Sequence, residues 1–422
     1  MSSGAPLGKN TPNGGGADRA AAARAAVTTD LSRSRADDNR PATILQIVPS
    51  LDSGGVERGT LEIAEAITAA GGRSLVASEG GRLEARLRLA RTELIALPLR
   101  TKNPWRMRAN AQALADVIRT ESVDIVHARS RAPAWSAYAA CKATGATFVT
   151  TYHGTYSEGL PLKRRYNRVM TKGERVIAIS RFVAEHIRAR HLVDAARLIT
   201  IPRGADTRFF DPTQTATAKV AALSHRWGLA EDLRPVILMP GRLTRWKGQT
   251  LFIEALALLR KRRGSADFIG VLVGEDSGDG RFETELHRLI TRHKLDDAAR
   301  LVGHCEDMPS AYKLASCTVS ASLEPEAFGR VAVESQAMGV PVIASAHGGA
   351  METVMDDVTG WLFESGDASA LAAALDHALS LSEERRKEIS AAAIAHVREH
   401  YSVKAMQEAT VRIYADLAAA MS

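Results

Sequence analysis

The sequence predicts an α/β fold in which two doubly wound domains face each other across a cleft, behind a disordered N-terminal tail. Short apolar runs alternate with helical patterns from Thr43 onward, and the alternation starts again near residue 236. A chain of 422 residues is too long for one compact core. Continuous apolar runs are typical of parallel strands covered on both faces. Each half is therefore predicted to be a Rossmann-like unit.

The predicted domain boundaries follow changes in composition and in the pattern of strands and helices along the chain. Residues 1–40 are rich in Gly, Ser, Pro, Asn and Ala and have little large apolar surface, which predicts disorder. Residues 41–210 form the first domain and residues 211–400 the second. Residues 401–422 form a C-terminal helix that we expect to cross back to the first domain.

The predicted elements place the motifs at strand ends, where doubly wound sheets bind their ligands. The predicted strands are 43–48, 74–77, 94–97, 124–127, 147–151, 176–179, 199–201, 236–239, 268–273, 317–321 and 341–344. The predicted helices are 56–70, 104–120, 133–143, 181–190, 248–262, 281–293, 331–338 and 403–420.

Composition excludes several classes of protein. With 45% hydrophobic and 24% charged residues, a mostly disordered chain is excluded. Apolar runs such as 268–273 are far shorter than the ~20 residues of a membrane span. The tail lacks the apolar core of a signal peptide. Three widely spaced cysteines form no CxxC pair, which fits a reducing compartment and gives no zinc signature. We therefore expect a cytoplasmic protein.

Charge is distributed unevenly along the chain. Residues 41–205 hold 25 basic and 14 acidic side chains, a net charge of +11, whereas residues 206–422 have a net charge of −6. A cationic first domain favours anionic partners such as lipid headgroups, phosphorylated glycans or nucleic acid.

Two motifs follow strands of the first half. Gly54 and Gly55 precede a helix, where paired glycines let backbone amides approach an anion such as a diphosphate. A tight turn that requires glycine explains them equally well. His153 follows the strand 147–151, where its side chain is suited to bind a sugar hydroxyl, although a lone histidine is more often structural.

The second half begins with a basic motif, Gly241-Arg242-Leu-Thr-Arg-Trp-Lys247-Gly248. Arg242 follows a strand and Lys247 precedes the next helix, which makes the two cations a candidate clamp for a diphosphate. Such a clamp neutralises charge on a leaving diphosphate without a divalent metal. The alternative is a solvated basic loop.

The most specific motif is Glu326-Ala-Phe-Gly-Arg-Val-Ala-Val-Glu334. Glu326 lies in a loop and Glu334 in the helix that follows, while Phe328 and Gly329 present backbone amides at the helix start. Because a carboxylate accepts two hydroxyls at once, one glutamate suits a ribose diol and the other suits sugar hydroxyls.

Together these motifs resemble the retaining glycosyltransferases of family 4, which have the GT-B fold. The order of Gly-Gly, His-Gly, Gly-Arg…Lys-Gly and two glutamates separated by seven residues matches that family over roughly residues 43–400, as does the segment from Gly339 to Gly360 with Glu352. The resemblance implies a metal-independent hexosyltransferase-type enzyme that moves a sugar from a nucleotide diphosphate sugar to a hydroxyl. It implies no cofactor other than this donor substrate.

The resemblance also implies residue roles. The implied catalytic residues are His153 near the reacting carbon, Arg242 and Lys247 on the diphosphate, and Glu326 on the transferred sugar. The implied substrate-binding residues are Gly54 and Gly55 at the donor phosphates or acceptor, His304 and Cys305 at the base, Phe328 and Gly329 at the sugar, and Glu334 at the ribose. Arg330 and the segment Arg203-Gly-Ala-Asp206 depart from the usual pattern, since relatives often have a small or aliphatic residue and Asn-Gly-Val-Asp there.

The acceptor is expected to be a cell-surface glycan or glycolipid, of the lipopolysaccharide-core or lipid-linked type. Arg164, Arg165, Arg168 and Lys172 are predicted to form one cationic stripe that attaches the enzyme peripherally to the anionic inner face of the cell membrane. A sugar-nucleotide epimerase of the same fold and a catalytically silent sugar-nucleotide-binding protein remain alternatives. No recognition motif supports a nucleic-acid-binding protein.

Overall fold

The computed structural model describes residues 30–32, 40–52, 54–156, 161–276 and 278–421. Two parallel sheets confirm the predicted pair of doubly wound α/β domains. The predicted disorder of residues 1–40 falls mostly outside the described residues. Leu31 differs from that prediction, because its side chain is fully buried and its backbone bonds to Ala42 and Ala70.

The described strands are β1 (Thr43–Ile47), β2 (Arg73–Ser78), β3 (Glu93–Ala96), β4 (Ile125–Ala128), β5 (Thr147–Tyr152), β6 (Arg175–Ala178), β7 (Leu198–Thr200), β8 (Val236–Pro240), β9 (Ile269–Val273), β10 (Ala299–Leu301), β11 (Ala315–Ser320), β12 (Val342–Ser345) and β13 (Gly360–Phe363). The described α-helices are α1 (Gly55–Ala69), α2 (Glu84–Leu89), α3 (Pro104–Thr120), α4 (Arg131–Thr144), α5 (Pro161–Asn167), α6 (Arg181–Arg190), α7 (Thr217–Arg226), α8 (Gln249–Arg263), α9 (Arg281–Arg292), α10 (Met308–Leu314), α11 (Arg330–Ala337), α12 (Ala350–Thr353), α13 (Ala368–Leu379), α14 (Glu383–His400) and α15 (Val403–Ala419).

Both sheets are parallel and share one topology. The first has the strand order β3-β2-β1-β4-β5-β6-β7 and the second has the order β10-β9-β8-β11-β12-β13. In each sheet the order reverses beside the first strand of that sheet, between β1 and β4 and between β8 and β11. A crevice forms at this point, so ligands bind at the carboxyl ends of the strands that border it.

The strands are buried on both faces, as their continuous apolar runs predict. Every residue of β1, β8 and β9 is buried. Because successive side chains alternate between faces, Leu45 and Ile47 of β1 belong to one apolar cluster and Ile44 to another on the opposite face. Because both faces of each sheet are covered, the ends of the strands remain accessible to a ligand.

The C-terminal helix α15 packs on the first domain. Its residues Met406, Tyr414 and Leu417 are buried in the same cluster as Ile44 and Ile67. Ser402 is the N-cap of this helix, and its hydroxyl accepts a hydrogen bond from the amide of Ala405. This helix has 17 residues and lies last in the described chain, and it completes the core of the first domain.

A polar seam joins the two domains beside the cleft. The Glu352 carboxylate of the second domain accepts hydrogen bonds from the backbone amides of Arg181 and Phe182, at 2.8 and 2.5 Å. These amides open helix α6 of the first domain and have no partner within the helix. The Ser180 hydroxyl donates to the carbonyl of Ala327 at 2.6 Å. Residues of one domain thus cap a helix of the other.

All predicted strands are present with ends shifted by at most two residues. Sequence patterns missed β10 and β13. The first has three residues, one of them Arg300, and the second begins with Gly360, so neither shows an apolar run of strand length.

Replacing Glu352 with Gln tests the seam. The amide nitrogen of glutamine cannot accept a hydrogen bond, so one helix amide loses its partner and the helix N-terminus loses a negative charge. We expect the free energy of unfolding to fall by about 1 kcal/mol in urea titrations. Glu364→Gln, at an exposed position, is the matched control. Equal midpoints for both variants and the wild type would contradict the seam.

Candidate active site

Lys247 and Glu326 form an ion pair between the carboxyl ends of β8 and β11. Lys247 Nζ donates to Glu326 Oε1 at 2.8 Å, and each side chain is 16% exposed. The Ser322 hydroxyl donates to the same carboxylate oxygen. Gly248 has a φ of +80°, and a Cβ there would overlap the carbonyl oxygen of Ala321. Only glycine fits, so the backbone that carries Lys247 is fixed against the end of β11.

The loop that carries Glu326 is anchored through its backbone. The carbonyl of Glu326 accepts a hydrogen bond from the amide of Gly349 at 2.7 Å. Gly329, with a φ of +82°, precedes helix α11, and Phe328 is buried. Within the described ranges, the amides of Phe328 and Gly329 make no hydrogen bond. Both amides could donate to a ligand, and their contact with the sugar stays a prediction.

Glu334 has two side-chain partners. Arg330 Nη2 donates to Oε1 at 3.0 Å, and the Tyr312 hydroxyl donates to Oε2 at 3.2 Å. Arg330 Nη1 also lies 3.9 Å from the position that a Cβ on Gly55 would occupy. The structure therefore brings the glycine turn of the first domain beside the glutamate helix of the second.

His153 directly follows β5 and faces the loop that carries Glu326. Its Nδ1 accepts a hydrogen bond from Arg203 Nη2 at 2.8 Å. Its Nε2 is buried and has no hydrogen-bond partner among the described residues. The neighbouring Gly154 lies 3.9 Å from Ala327, measured from an ideal Cβ position to the Ala327 Cβ. Burial, followed by the Arg203 and Arg129 cations, lowers the pKa of His153 well below its usual value.

Arg242 and Gly54 lie at exposed positions of the cleft. The Arg242 guanidinium has no ion pair or hydrogen bond within the described part of the chain, while its carbonyl accepts from Gln249 Nε2 at 2.9 Å. Gly54 has a φ of +149° and directly precedes helix α1. Both residues are therefore placed where a ligand could reach them.

His304 and Cys305 lie apart from these charged groups. They line a cavity of about 550 Å³ at the edge of the second sheet, beside Trp227, His287 and Arg300. Burial is the main cause that raises the pKa of the Cys305 thiol. None of Arg242, Lys247, Glu326 and Glu334 lines this cavity, and the base contact of His304 and Cys305 stays a prediction.

The cationic stripe predicted on one helix is wrong in its geometry. Helix α5 ends at Asn167, and residues Arg168–Thr171 form a 3₁₀ turn, so the α-helical spacing does not continue to Lys172. Arg164 is fixed by hydrogen bonds to the carbonyl of Arg190. All four basic side chains are exposed, and they form a patch rather than a helical stripe.

The described ranges contain neither a metal-ligating cluster nor a membrane-spanning helix. No cluster of three or more His, Cys, Asp or Glu side chains there could hold a metal ion. No helix described in the chain is long and apolar enough to cross a bilayer.

Comparison with known proteins identifies the family. The model of glycosyltransferase family 4 matches residues 53–209, and that of the glycosyl transferases group 1 matches residues 224–396. A crystal structure of a glycosyltransferase from Rickettsia africae is 38% identical and superposes with a TM-score of 0.83, over 89% of this chain and 98% of the other. This chain belongs to glycosyltransferase family 4.

Curated relatives of this glycosyltransferase act in inositol and phosphatidylinositol glycosylation, by their names. A D-inositol 3-phosphate glycosyltransferase of Geodermatophilus obscurus is 32% identical over 54% of this chain and 50% of its own length. A GDP-mannose-dependent monoacylated alpha-(1-6)-phosphatidylinositol monomannoside mannosyltransferase of Corynebacterium glutamicum is 29% identical over 72% of this chain and 79% of its own. The glycosyltransferase thus spans about half the length of the first of these relatives.

The structure adds site residues of this glycosyltransferase that sequence reasoning missed or left without a role. Tyr312 and Ser322 hold the two glutamates, and Arg203 holds His153. Only Arg203 carried a sequence signal, because it departs from the usual asparagine. Tyr312 and Ser322 sit among ordinary core and loop residues, and only the folded chain brings them to the carboxylates.

Proposed function

We propose that this glycosyltransferase is a retaining, metal-independent enzyme that moves a sugar from a nucleotide diphosphate sugar to an acceptor hydroxyl. The observation that carries the proposal is the Lys247–Glu326 pair, at 2.8 Å between two strand ends. A fixed cation beside a fixed carboxylate suits a ligand that has both a phosphate and hydroxyl groups. The donor substrate would be the only cofactor-like molecule required.

The reaction needs charge stabilisation at the leaving group. The bond from the anomeric carbon to the phosphate oxygen breaks, and a bond to the acceptor oxygen forms on the same face of the sugar. The acceptor proton passes to the departing diphosphate. Negative charge grows on the diphosphate during this step, and Lys247 would neutralise it together with the exposed Arg242. Cations supplied by the chain could thus act in place of a divalent metal.

The two glutamates would divide the remaining contacts. Glu326 is near the reacting end because it pairs with Lys247 and follows β11. Glu334 lies about one turn into helix α11, where Arg330 and Tyr312 donate hydrogen bonds to its oxygens. A ribose diol would replace or share these two donors, since each carboxylate oxygen has more than one lone pair.

The acceptor would be a glycan or glycolipid bound to the cationic first domain. The names of the relatives support an acceptor with a phosphate group, since both acceptors carry one. A lipopolysaccharide-core or lipid-linked saccharide acceptor has the same anionic character. We further propose that the enzyme works in the cytoplasm and attaches peripherally to the inner face of the membrane.

Removing either proposed clamp residue tests the reaction. Lys247→Ala and Arg242→Ala each remove a contact that strengthens as charge develops on the leaving diphosphate. We expect turnover of the donor to fall by at least ~100-fold in each variant. The measurement is release of nucleoside diphosphate in the presence of acceptor.

Arg245→Ala is the matched control for both clamp variants. Arg245 lies in the same basic motif, but it is exposed and pairs with Glu285 outside the site. We expect its turnover to match the wild type. Near-normal turnover in both Lys247→Ala and Arg242→Ala would exclude the clamp.

Glutamine variants test whether the two glutamates have different roles. In Glu334→Gln a neutral amide would face the ribose diol, and we expect the Kd of the free nucleoside diphosphate to rise by about tenfold. Glu326→Gln should reduce turnover and leave that Kd close to the wild-type value. Calorimetric titration with the nucleoside diphosphate gives the answer. Equal losses of affinity in the two variants would show that the division of roles is wrong.

Charge reversal tests membrane attachment. Each exposed Lys or Arg near an anionic membrane contributes about 1 kcal/mol, so Arg164→Glu, Arg165→Glu and Arg168→Glu together should abolish binding to phosphatidylserine-containing liposomes. Nucleotide affinity should not change. The control variant carries Lys261→Glu, Arg262→Glu and Lys387→Glu on the second domain, where all three side chains are exposed. Liposome binding that survives in the first variant would count against this patch.

A further inference from the structure

The hydrogen bond between Arg203 and His153 constrains the chemistry of the histidine. Arg203 Nη2 lies 2.8 Å from His153 Nδ1. A guanidinium has donors and no acceptor, so Nδ1 must accept this bond through its lone pair. An imidazole whose Nδ1 accepts cannot be protonated there, and its single proton must reside on Nε2.

The other ring nitrogen, Nε2, is a buried donor that requires a hydrogen-bond partner. His153 Nε2 is buried and has no hydrogen-bond partner among the described residues. Buried donors are nearly always satisfied by protein, water or ligand. Since Gly154 lies against Ala327 of the glutamate loop, the histidine stands where the two domains meet. The unpaired Nε2–H is therefore available to an oxygen atom of a ligand in the cleft.

Arg203 is itself held in place by the surrounding backbone. It is 8% exposed and lies in the loop after β7, where Ala205, two residues further on, makes backbone hydrogen bonds with Tyr401 and Val403. A Cβ on Gly59 of helix α1 would overlap Arg203 Nη1, so this glycine makes room for the guanidinium. The position of Arg203 is thus built into two elements of the first domain.

Burial and the neighbouring cations shift the pKa of His153 in the same direction. Burial contributes most to the lowered pKa of His153, and the cations Arg203 and Arg129 add to it, as does His127. Burial also lowers the pKa of Arg203 to about 9, with Glu62 opposing and Arg129 and Arg330 adding to the shift. Arg203 stays charged at neutral pH and His153 stays uncharged.

We propose that Arg203 is a positioning residue that fixes His153 as the neutral Nε2–H tautomer, so that His153 donates a hydrogen bond to an oxygen of the bound sugar or acceptor and does not act as a general base. This inference rests on the proposed glycosyl transfer for its ligand. The tautomer itself is a property of the nucleotide-free protein. The lone pair that a base would need is occupied by Arg203, which leaves the acceptor proton to the leaving diphosphate.

The wild-type protein gives the first test. Protein labelled with ¹⁵N in its histidines is titrated by NMR without nucleotide, and the His153 signals are assigned by their loss in His153→Gln. We expect the Nε2–H tautomer and no titration between about pH 5.5 and about pH 8. An Nδ1–H tautomer, or a midpoint within that range, would overturn the proposal. This measurement does not require that any Arg203 variant folds.

Substitutions at Arg203 give the second test. Arg203→Met removes the donor and the cation, so the His153 pKa should rise, while burial still holds it below its ordinary value of about 6.5. The kcat/KM for the donor should fall by about 10–100-fold, as for other partners that orient a functional histidine. Its pH profile should gain a step at the NMR midpoint, which a structural defect alone would not produce.

Two further variants complete the test. Arg203→Lys retains a cationic donor and should restore the Nε2–H tautomer. Arg208→Met changes an exposed arginine of the same loop, which pairs only with Asp206 in the described chain, and should behave as the wild type. An unchanged tautomer and pH profile in folded Arg203→Met would overturn the positioning role. If the tautomer shifts as expected but no sugar nucleotide is consumed by the wild type, the proposed function fails and the Arg203–His153 assignment stands.

Discussion

The Glu352 carboxylate on the N-terminus of helix α6 is the contact on which the site depends. Each sheet binds ligands at the carboxyl ends of its strands, and neither domain alone holds all the motifs. The seam made by Glu352, with the bond from Ser180 to Ala327, brings the His153 end of the first sheet against the Glu326 loop of the second. An anionic side chain is suited to this place because the helix start presents free amides and a partial positive charge. The cleft and its chemistry follow from that alignment.

Buried charge in the first domain is a second constraint. Burial has the largest effect on the Glu62 carboxylate and raises its pKa, and the buried cations Arg203 and Arg129 oppose this shift. Part of the positive charge of residues 41–205 is therefore directed into the molecule and not toward a surface partner. An excess of buried cations is costly unless anions compensate it. A phosphorylated ligand in the cleft would supply such compensation, which links the charge of the domain to the proposed substrates.

The fold was largely predictable, and the contacts of the site were not. Apolar runs and glycine turns are local, so they located every described strand except β10 and β13, and with them the strand ends where Lys247 and Glu326 lie. The bond between Arg330 and Glu334 joins residues four apart on one helix, a spacing that sequence alone could have suggested. By contrast, Arg203 reaches His153 across 50 residues, and that pairing depends on how the loop after β7 packs on helix α1. The helical stripe was wrong because a 3₁₀ turn interrupts it at Arg168.

In the proposed function, cations of the chain hold the diphosphate of a nucleotide donor without a divalent metal. Thermal unfolding in EDTA with UDP, GDP, ADP and their sugars tests it most directly, since a ligand that binds only the folded state raises the Tm. We expect at least one nucleoside diphosphate to stabilise the wild type in EDTA and Lys247→Ala to lose this stabilisation. Stabilisation by none of these ligands, or only after Mg²⁺ or Mn²⁺ is added, would contradict it.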